Sequence, residues 1–349
     1  MRGFGSDNHS GVHPRFLLAI ERANIDHAPS YGTDPITEKA LVLFKELFGA
    51  NAETYFVFNG TAANVLSLSA IVKPYGAVLV SDAAHLLNDE CNAPERQLGI
   101  KVIGVTTPDG KLHPDLLRPH LIRRGDQHRS QVQAISITQS TELGTVYSLA
   151  EIRALGEFAR AERLFFHVDG ARLVNAAESL GANFKEMTTD CGVDVVSFGG
   201  TKNGLLFGEA VVFLRPGLTE GIKYIRKQLM QLPSKTRYLS AQFVEFLGTD
   251  LWRENARHAN AMAKLLSDGL KRSPHAEITQ STQANAVFVK FPKQFIAQLR
   301  EAAFFYVWNE LNFECRLMTT WDTKVEDIER LLTQLERLGS SQQAPASRL

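Results

Sequence analysis

The chain has 349 residues, 44% hydrophobic and 22% charged, an ordinary balance for a globular protein with room for a large core and two lobes. Its 38 basic and 38 acidic residues cancel, which argues against a broad polyanion-binding surface. Cys91, Cys191 and Cys315 are scattered without CxxC spacing; they make neither a disulfide framework nor a zinc site and fit a reducing cytoplasm.

The first residues, MRGFGSDNHSG, lack the apolar run of a signal peptide, and no stretch approaches a membrane span. Further on, AVLVSDAAH (77–85), QAISITQ (133–139), RLFFHVDGAR (163–172), DVVSFGGTK (194–202) and EAVVFLR (209–215) read as buried strands. Among them SLAEIRALGEFARAE (148–162) reads as a helix capped by Ser148, with Glu151 three residues on. Strands alternating with helices predict a mainly parallel sheet covered on both faces. The basic cluster RRGDQHR (123–129) is the one notable local charge excess, and alone it reads as a solvated loop.

Beyond Leu214 helical patterns dominate, in TEGIKYIRKQLMQL and from Ser240 to Leu270. Two strand candidates follow, ANAVFVKF (284–291) and FECRLMTTW (313–321). VEDIERLLTQLERLG then closes a helix with a glycine stop at Gly339. A lobe boundary near residue 248 divides a large domain, 1–248, from a small C-terminal domain, 249–338. The polar tail 339–349 is expected to be frayed.

In open α/β sheets ligands gather at the carboxyl ends of the strands, and here those ends carry His85, Asp169 and Lys202. Each alone is ordinary. A lone His is usually structural, an Asp before Gly commonly makes a turn, and a loop Lys usually faces solvent. Together they suit one chemistry. A Schiff-base lysine needs a deprotonated amine, which burial among glycine and apolar groups favours. An anionic Asp facing a pyridine nitrogen keeps that nitrogen protonated and the ring an electron sink. The pair implies pyridoxal phosphate. FNGTAANVLSLSAIV (58–72) offers the phosphate site, a Gly-Thr turn opening into a helix. First-turn N–H groups and the Thr61 hydroxyl suit a dianion there, although Thr61 as a plain N-cap gives a similar sequence.

With these residues in place, the chain resembles the threonine aldolases of the β-eliminating lyase group, and among them the low-specificity L-threonine aldolases of pseudomonad type. The likeness is carried by SDNHSG, YGTDPITEKA, FNGTAAN, AAHLLNDECNAPE, ITQSTELGTVY, HVDGAR, FGGTKNG, LPSKTRYLSAQF and CRLMTTWDT, between Ser6 and Thr323. The lysine of GGTKNG, 33 residues after the Asp of HVDGAR, is its most specific part. The resemblance implies a fold-type I pyridoxal-phosphate architecture: an α/β domain with a mainly parallel seven-stranded sheet covered by helices, and a smaller C-terminal α+β domain. Residues 1–25 would contribute to the active site.

The resemblance also implies roles. Lys202 would be the Schiff-base lysine, Asp169 the partner of the pyridinium, and His85 the residue stacked on the ring. Gly60 and Thr61 would bind phosphate, joined by Arg237 supplied from the neighbouring subunit, with Asn64 a further cofactor contact. Ser6, Arg172 and Arg316 would hold the substrate carboxylate, Arg172 also touching the cofactor. His128 would lie near the substrate hydroxyl, and Tyr31 would come from a partner chain. Sites shared between subunits imply a homodimer or homotetramer, with no metal. The chain departs from the family pattern at PSKTR (233–237) and in RGDQHRSQVQ, which lacks the expected prolines.

The activity so implied is reversible retro-aldol cleavage of L-threonine, L-allo-threonine and related β-hydroxy-α-amino acids to glycine and an aldehyde. His85, or a water placed by His85 and His128, would take the hydroxyl proton, and an imidazole near ~6.5 suits that task. Rival readings are a phenylserine-type aldolase, another β-eliminating lyase or an aminotransferase on the same scaffold, and a non-enzymatic relative. The intact Lys202, Asp169, Arg172 and Arg316 argue against the last.

Overall fold

A seven-stranded sheet organises the computed structural model, which describes residues 2–343. Its strands are β1 (Glu53–Val57), β2 (Gly76–Ser81), β3 (Lys101–Val105), β4 (Gln131–Thr138), β5 (Phe165–Gly170), β6 (Val195–Gly199) and β7 (Glu209–Phe213). Their spatial order is β1-β7-β6-β5-β4-β2-β3. The five strands from β3 to β6 are mutually parallel, and β7 runs antiparallel between β6 and β1. β2, β6 and β7 are buried along their whole length, as a sheet with helices on both faces requires. One face packs an aromatic cluster that includes Phe44, Phe48, Phe198 and Phe243. The other packs Leu66, Val78, Val80 and Val211.

A second sheet holds β8 (Glu277–Ile278), β9 (Ala286–Lys290), β10 (Tyr306–Asn309) and β11 (Glu314–Met318), antiparallel in the order β10-β11-β9-β8. Its core joins Val287, Val289 and Leu317 to Leu266, Leu299 and Leu331 of neighbouring helices, and Phe4 is buried among them. The Phe4 N–H donates to the Phe304 carbonyl at 2.6 Å, and the Phe4 carbonyl accepts from the Met318 N–H at 2.8 Å. Nine residues later the His13 N–H donates to the Gly204 carbonyl at 2.9 Å. The N-terminal segment therefore crosses from the second sheet to the carboxyl end of the first.

The expected mainly parallel sheet is present, and Ser148 and Glu151 form a complete capping box on the helix Leu149–Ala161. Other expectations change. The pattern from Ser240 to Leu270 is two helices, Thr236–Leu247 and Leu251–Leu270, broken at Gly248. TEGIKYIRKQLMQL yields only the helix Ile222–Gln228, and the chain turns away at Met230 with φ 61°. Gly339 does not stop the last helix, which runs Val325–Gln343. A Cβ there would strike the His275 ring, so this glycine serves close packing. Residues 339–343 of the expected frayed tail are thus helical, and 344–349 lie outside the described residues.

Candidate active site

The parallel strands deliver their carboxyl ends to one side of the sheet, and a cleft of about 400 Å³ opens there. Gly60, Thr61, His85, Asp169 and Lys202 all line it, together with Asn8, Phe58, Phe207 and Glu209. Asp169 and Ser197 are paired across β5 and β6. Lys202 follows β6 in the short helical turn Thr201–Asn203, which Gly204 ends with φ 101°. That turn leaves the lysine at the cleft rather than continuing into a strand.

Lys202 makes no hydrogen bond or ion pair among the described residues. Burial and the Arg172 cation push its pKa down, while Asp7, Asp169 and Glu209 oppose them. Asp169 is held at both oxygens: Oδ1 accepts from the Ala171 N–H at 3.1 Å and Oδ2 from Asn64 Nδ2 at 2.8 Å. Asn64 thus reaches the site as a support for Asp169. Its helix, Gly60–Ile71, is capped by Asn59, whose side chain accepts from the Ala62 N–H at 2.9 Å. Thr61 is therefore not the cap. The N–H groups of Gly60 and Thr61 have no partner among the described residues, which is the arrangement that binds phosphate at a helix start.

Two arginines approach the cleft differently. Arg172 is buried and donates from Nε and Nη2 to Asp7 Oδ2 and Oδ1 at 2.7 and 2.9 Å. Burial would raise the Asp7 carboxyl, but Arg172 and Lys202 outweigh it and hold its pKa at about 2. Arg316 lies on β11 with its guanidinium 4.4 Å from the centre of the Trp308 ring. Its Nε is cut off from water and unpartnered among the described residues. Burial and the nearby Arg172 cation lower its pKa to about 10. Guanidinium forks of this kind have the chemistry to hold a carboxylate.

Sequence reasoning missed four acids. Asp7 is one, on the N-terminal segment that crosses the cleft. Glu90 is buried and its Oε1 accepts from His85 Nδ1 at 2.9 Å and from Asn64 Nδ2 at 2.7 Å. That bond, against burial, raises the His85 pKa, so the imidazole does not sit at its ordinary value. Glu142 receives the His85 backbone N–H and the Thr138 hydroxyl on Oε1, both at 2.7 Å, and burial raises its pKa. Glu209 accepts from the Gly200 N–H at 2.6 Å, and burial lifts its pKa to about 7. The stretches NDECNAPE and TELG carry two of these acids, and the family-like motifs were the one signal that could have singled them out.

Asn64, Arg172 and Arg316 do not line the cleft itself, and four further predicted residues stand apart from it in their own chain. Ser6 caps the turn Asp7–His9, its Oγ accepting from the Asn8 N–H at 3.1 Å, and it lines a neighbouring cavity with His9 and Phe304. Tyr31 is 50% exposed, with its N–H donated to the Ser234 carbonyl. Arg237 donates to the Asp26 carbonyl and the Tyr238 hydroxyl, both at 3.0 Å. His128 is exposed in a basic cavity with Lys101, Arg123, Arg124 and Arg129, just before β4 begins. Asp169 is level with Thr138 at the other end of that strand, roughly 25 Å of strand away. A direct pairing of His85 with His128 inside one chain is therefore not made.

The fold and this cleft define a fold-type I pyridoxal-phosphate-dependent architecture. The beta-eliminating lyase family pattern matches residues 3–292, and the chain belongs to that family. It is 38% identical to the low specificity L-threonine aldolase of Pseudomonas sp. (strain NCIMB 10558), over 97% of this chain and 98% of that protein. Identity to the Pseudomonas aeruginosa protein of the same name is 39%, over 94% and 95% of the two chains. The structure matches the Leishmania major threonine aldolase with a TM-score of 0.91 at 29% identity, covering 97% of this chain and 99% of that one.

Proposed function

We propose that this protein is a pyridoxal-phosphate-dependent aldehyde-lyase that cleaves L-threonine, L-allo-threonine and related β-hydroxy-α-amino acids reversibly into glycine and an aldehyde. The observation that carries this reading is the convergence of Lys202, Asp169, His85 and the free N–H groups of Gly60 and Thr61 on one cleft. These residues fit the cofactor. An unpartnered amine of lowered pKa suits its aldehyde, a bare helix start suits its phosphate, and a doubly held carboxylate suits its ring nitrogen. When bound, the cofactor supplies an electron sink for cleavage beside the amino-bearing carbon.

The chain's residues supply binding, orientation and proton transfer. Arg172 Nη1 makes no hydrogen bond among the described residues, so an incoming carboxylate meets Nη1 and Arg316 without displacing Asp7. Gripping the carboxylate would fix rotation about the bond from the amino nitrogen to the α-carbon, which sets the α–β carbon bond in the orientation that favours its cleavage. His85 takes the β-hydroxyl proton in its neutral form. Its raised pKa therefore predicts a rate that climbs with pH through the His85 titration.

Tyr31 and Arg237 lie away from their own cleft, which supports supply from a second copy and hence a homodimer or homotetramer. His128 would act on a substrate only if another copy brought it. The cytoplasm remains the proposed compartment, from the free cysteines, and a division into domains 1–248 and 249–338 accommodates the two sheets. The test is a product panel with threonine, allo-threonine and phenylserine on the cofactor-loaded chain. Glycine and the matching aldehyde are expected, and Lys202→Ala should lose turnover together with the visible absorption of bound cofactor. Pyruvate or ammonia as product, or normal turnover by Lys202→Ala, overturns the reading.

A further inference from the structure

Glu90 stands where two halves of the site meet. Its side chain is 0% exposed, and it precedes two residues in left-handed backbone, Cys91 (φ 49°) and Asn92 (φ 58°). One oxygen, Oε1, receives both His85 Nδ1 and Asn64 Nδ2. The same Asn64 nitrogen donates to Asp169 Oδ2. The second oxygen, Oε2, and Asn64 Oδ1 are shut away from water with no partner among the described residues. A buried carboxyl group costs free energy unless it is hydrogen-bonded, and His85 Nδ1 and Asn64 Nδ2 are the side-chain groups that meet Glu90 among the described residues.

Oε1 already acts as an acceptor for the Asn64 amide, and in the same role toward the ring it places the proton of the 2.9 Å contact on His85 Nδ1. That choice makes Nε2 the basic nitrogen of the neutral ring, on a residue that lines the cleft. The charged groups around this imidazole are few. Glu90 and Asp169 favour its protonation and Lys202 opposes it, with the Glu90 bond the largest influence. Glu142 touches only the His85 backbone N–H.

We propose that Glu90 is a positioning residue that couples the proton on His85 to the carboxylate of Asp169, fixing the His85 tautomer directly and orienting Asp169 through Asn64. The role given to His85 rests on the aldolase reading above. The coupling itself does not, because it is a property of the chain without cofactor. Glu90 and Asn64 compete in a defined sense. Replacing the Glu90 carboxyl by an amide weakens the hold on the His85 proton. Removing Asn64 takes a donor off Glu90 Oε1, which leaves that oxygen a stronger acceptor for His85 alone. The two changes therefore move His85 in opposite directions, which general loosening of the site does not do.

The experiment is a titration of the His85 ring resonances in the full-length apoprotein, assigned by their loss in His85→Asn. Glu90→Gln should lower the midpoint by roughly one pH unit, about tenfold in proton affinity. Asn64→Ala should raise it. In the cofactor-loaded enzyme the acid limb of kcat/KM for threonine should move down by the same amount in Glu90→Gln. A midpoint unmoved in Glu90→Gln, or a fall in Asn64→Ala, overturns the coupling. If Glu90→Gln does not fold, the direction of the Asn64→Ala change decides alone. Failure to release glycine from any substrate would sink the aldolase reading, while the apoprotein titration would still decide the role of Glu90.

Discussion

Replacing Asp7 by Asn keeps the shape of the side chain and removes the anion that Arg172 and Lys202 share. In the native chain Asp7 is 1% exposed and also receives Asn285 Nδ2 at 3.2 Å. Burial raises its carboxyl, but the two cations outweigh that effect and bring the pKa from an ordinary 3.8 to about 2. At about 1.4 kcal/mol per pH unit, the lowering corresponds to roughly 2–3 kcal/mol of stability carried by the charged form. The folded value lies below the unfolded one. The contribution is therefore complete above an ordinary carboxylate pKa and is lost as pH falls toward 2. Asn removes that contribution and leaves Arg172 buried without its counter-ion, so the loss reaches about 2–4 kcal/mol. Urea unfolding of the full chain, followed by tryptophan fluorescence, should show this deficit unchanged in size between pH 6 and 8. A deficit below about 0.5 kcal/mol, or one that grows across that range, would refute the charge pairing.

Arg316→Lys exchanges a planar fork stacked on Trp308 for a point charge. The KM for threonine should rise about tenfold or more with kcat less affected, and an unchanged kcat/KM would remove Arg316 from the substrate site. Glu209→Gln tests the opposite kind of acid. Burial lifts the Glu209 pKa from 4.5 to about 7, despite the Thr201 and Gly200 bonds and the Lys202 charge. The folded value is the higher one, so the native chain loses stability as pH rises between those two values, by about 3 kcal/mol in total. Glu209→Gln should be more stable than the native chain at pH 8, with the gain closing as pH approaches 5. Thermal unfolding across that range measures it, and a variant no more stable at pH 8 would contradict the burial argument.

Strands β2, β4, β5, β6 and β7 were legible because they are interior to the sheet and read as continuous apolar runs. The two that escaped in the large sheet, β1 and β3, are its edges. β1 begins with exposed or half-buried residues in ETYFV, and β3 alternates in KVIGV, where a Cβ on Gly104 would come within 2.6 Å of Leu87 Cδ2. In the site, Lys202, Asp169, His85, Gly60 and Thr61 could be found because strand ends and a helix start have local signatures. Asp7 and Glu90 could not. A buried acid has the same letter as a surface acid, and the partner of Asp7 lies 165 residues away. His128 shows the converse limit: a motif match can name a residue, but strand direction decides at which end of the sheet it stands.

The distribution of charge along the cleft gives the missed acids a common logic. At one end a hydrogen-bond chain joins Asp169 to Glu90 through the Asn64 amide, and Glu90 to His85. At the other Arg172 pairs with Asp7, and Arg316 keeps a buried Nε without a partner among the described residues. For Lys202, burial first and then the field of Arg172 keep its amine from holding a proton firmly. On the proposed reading, an anion settling on the two arginines would weaken that field, so its occupancy and the basicity of the lysine would rise together. By the same reciprocity, a protonated Lys202 would strengthen the hold on an anion. Asp7 sets the baseline of this exchange. It is close enough to neutralise part of Arg172 without another anion present, and it leaves Nη1 open for the ligand. On the proposed reading, the acids behind Lys202 and Asp169 make the proton affinities of the site depend on what is bound.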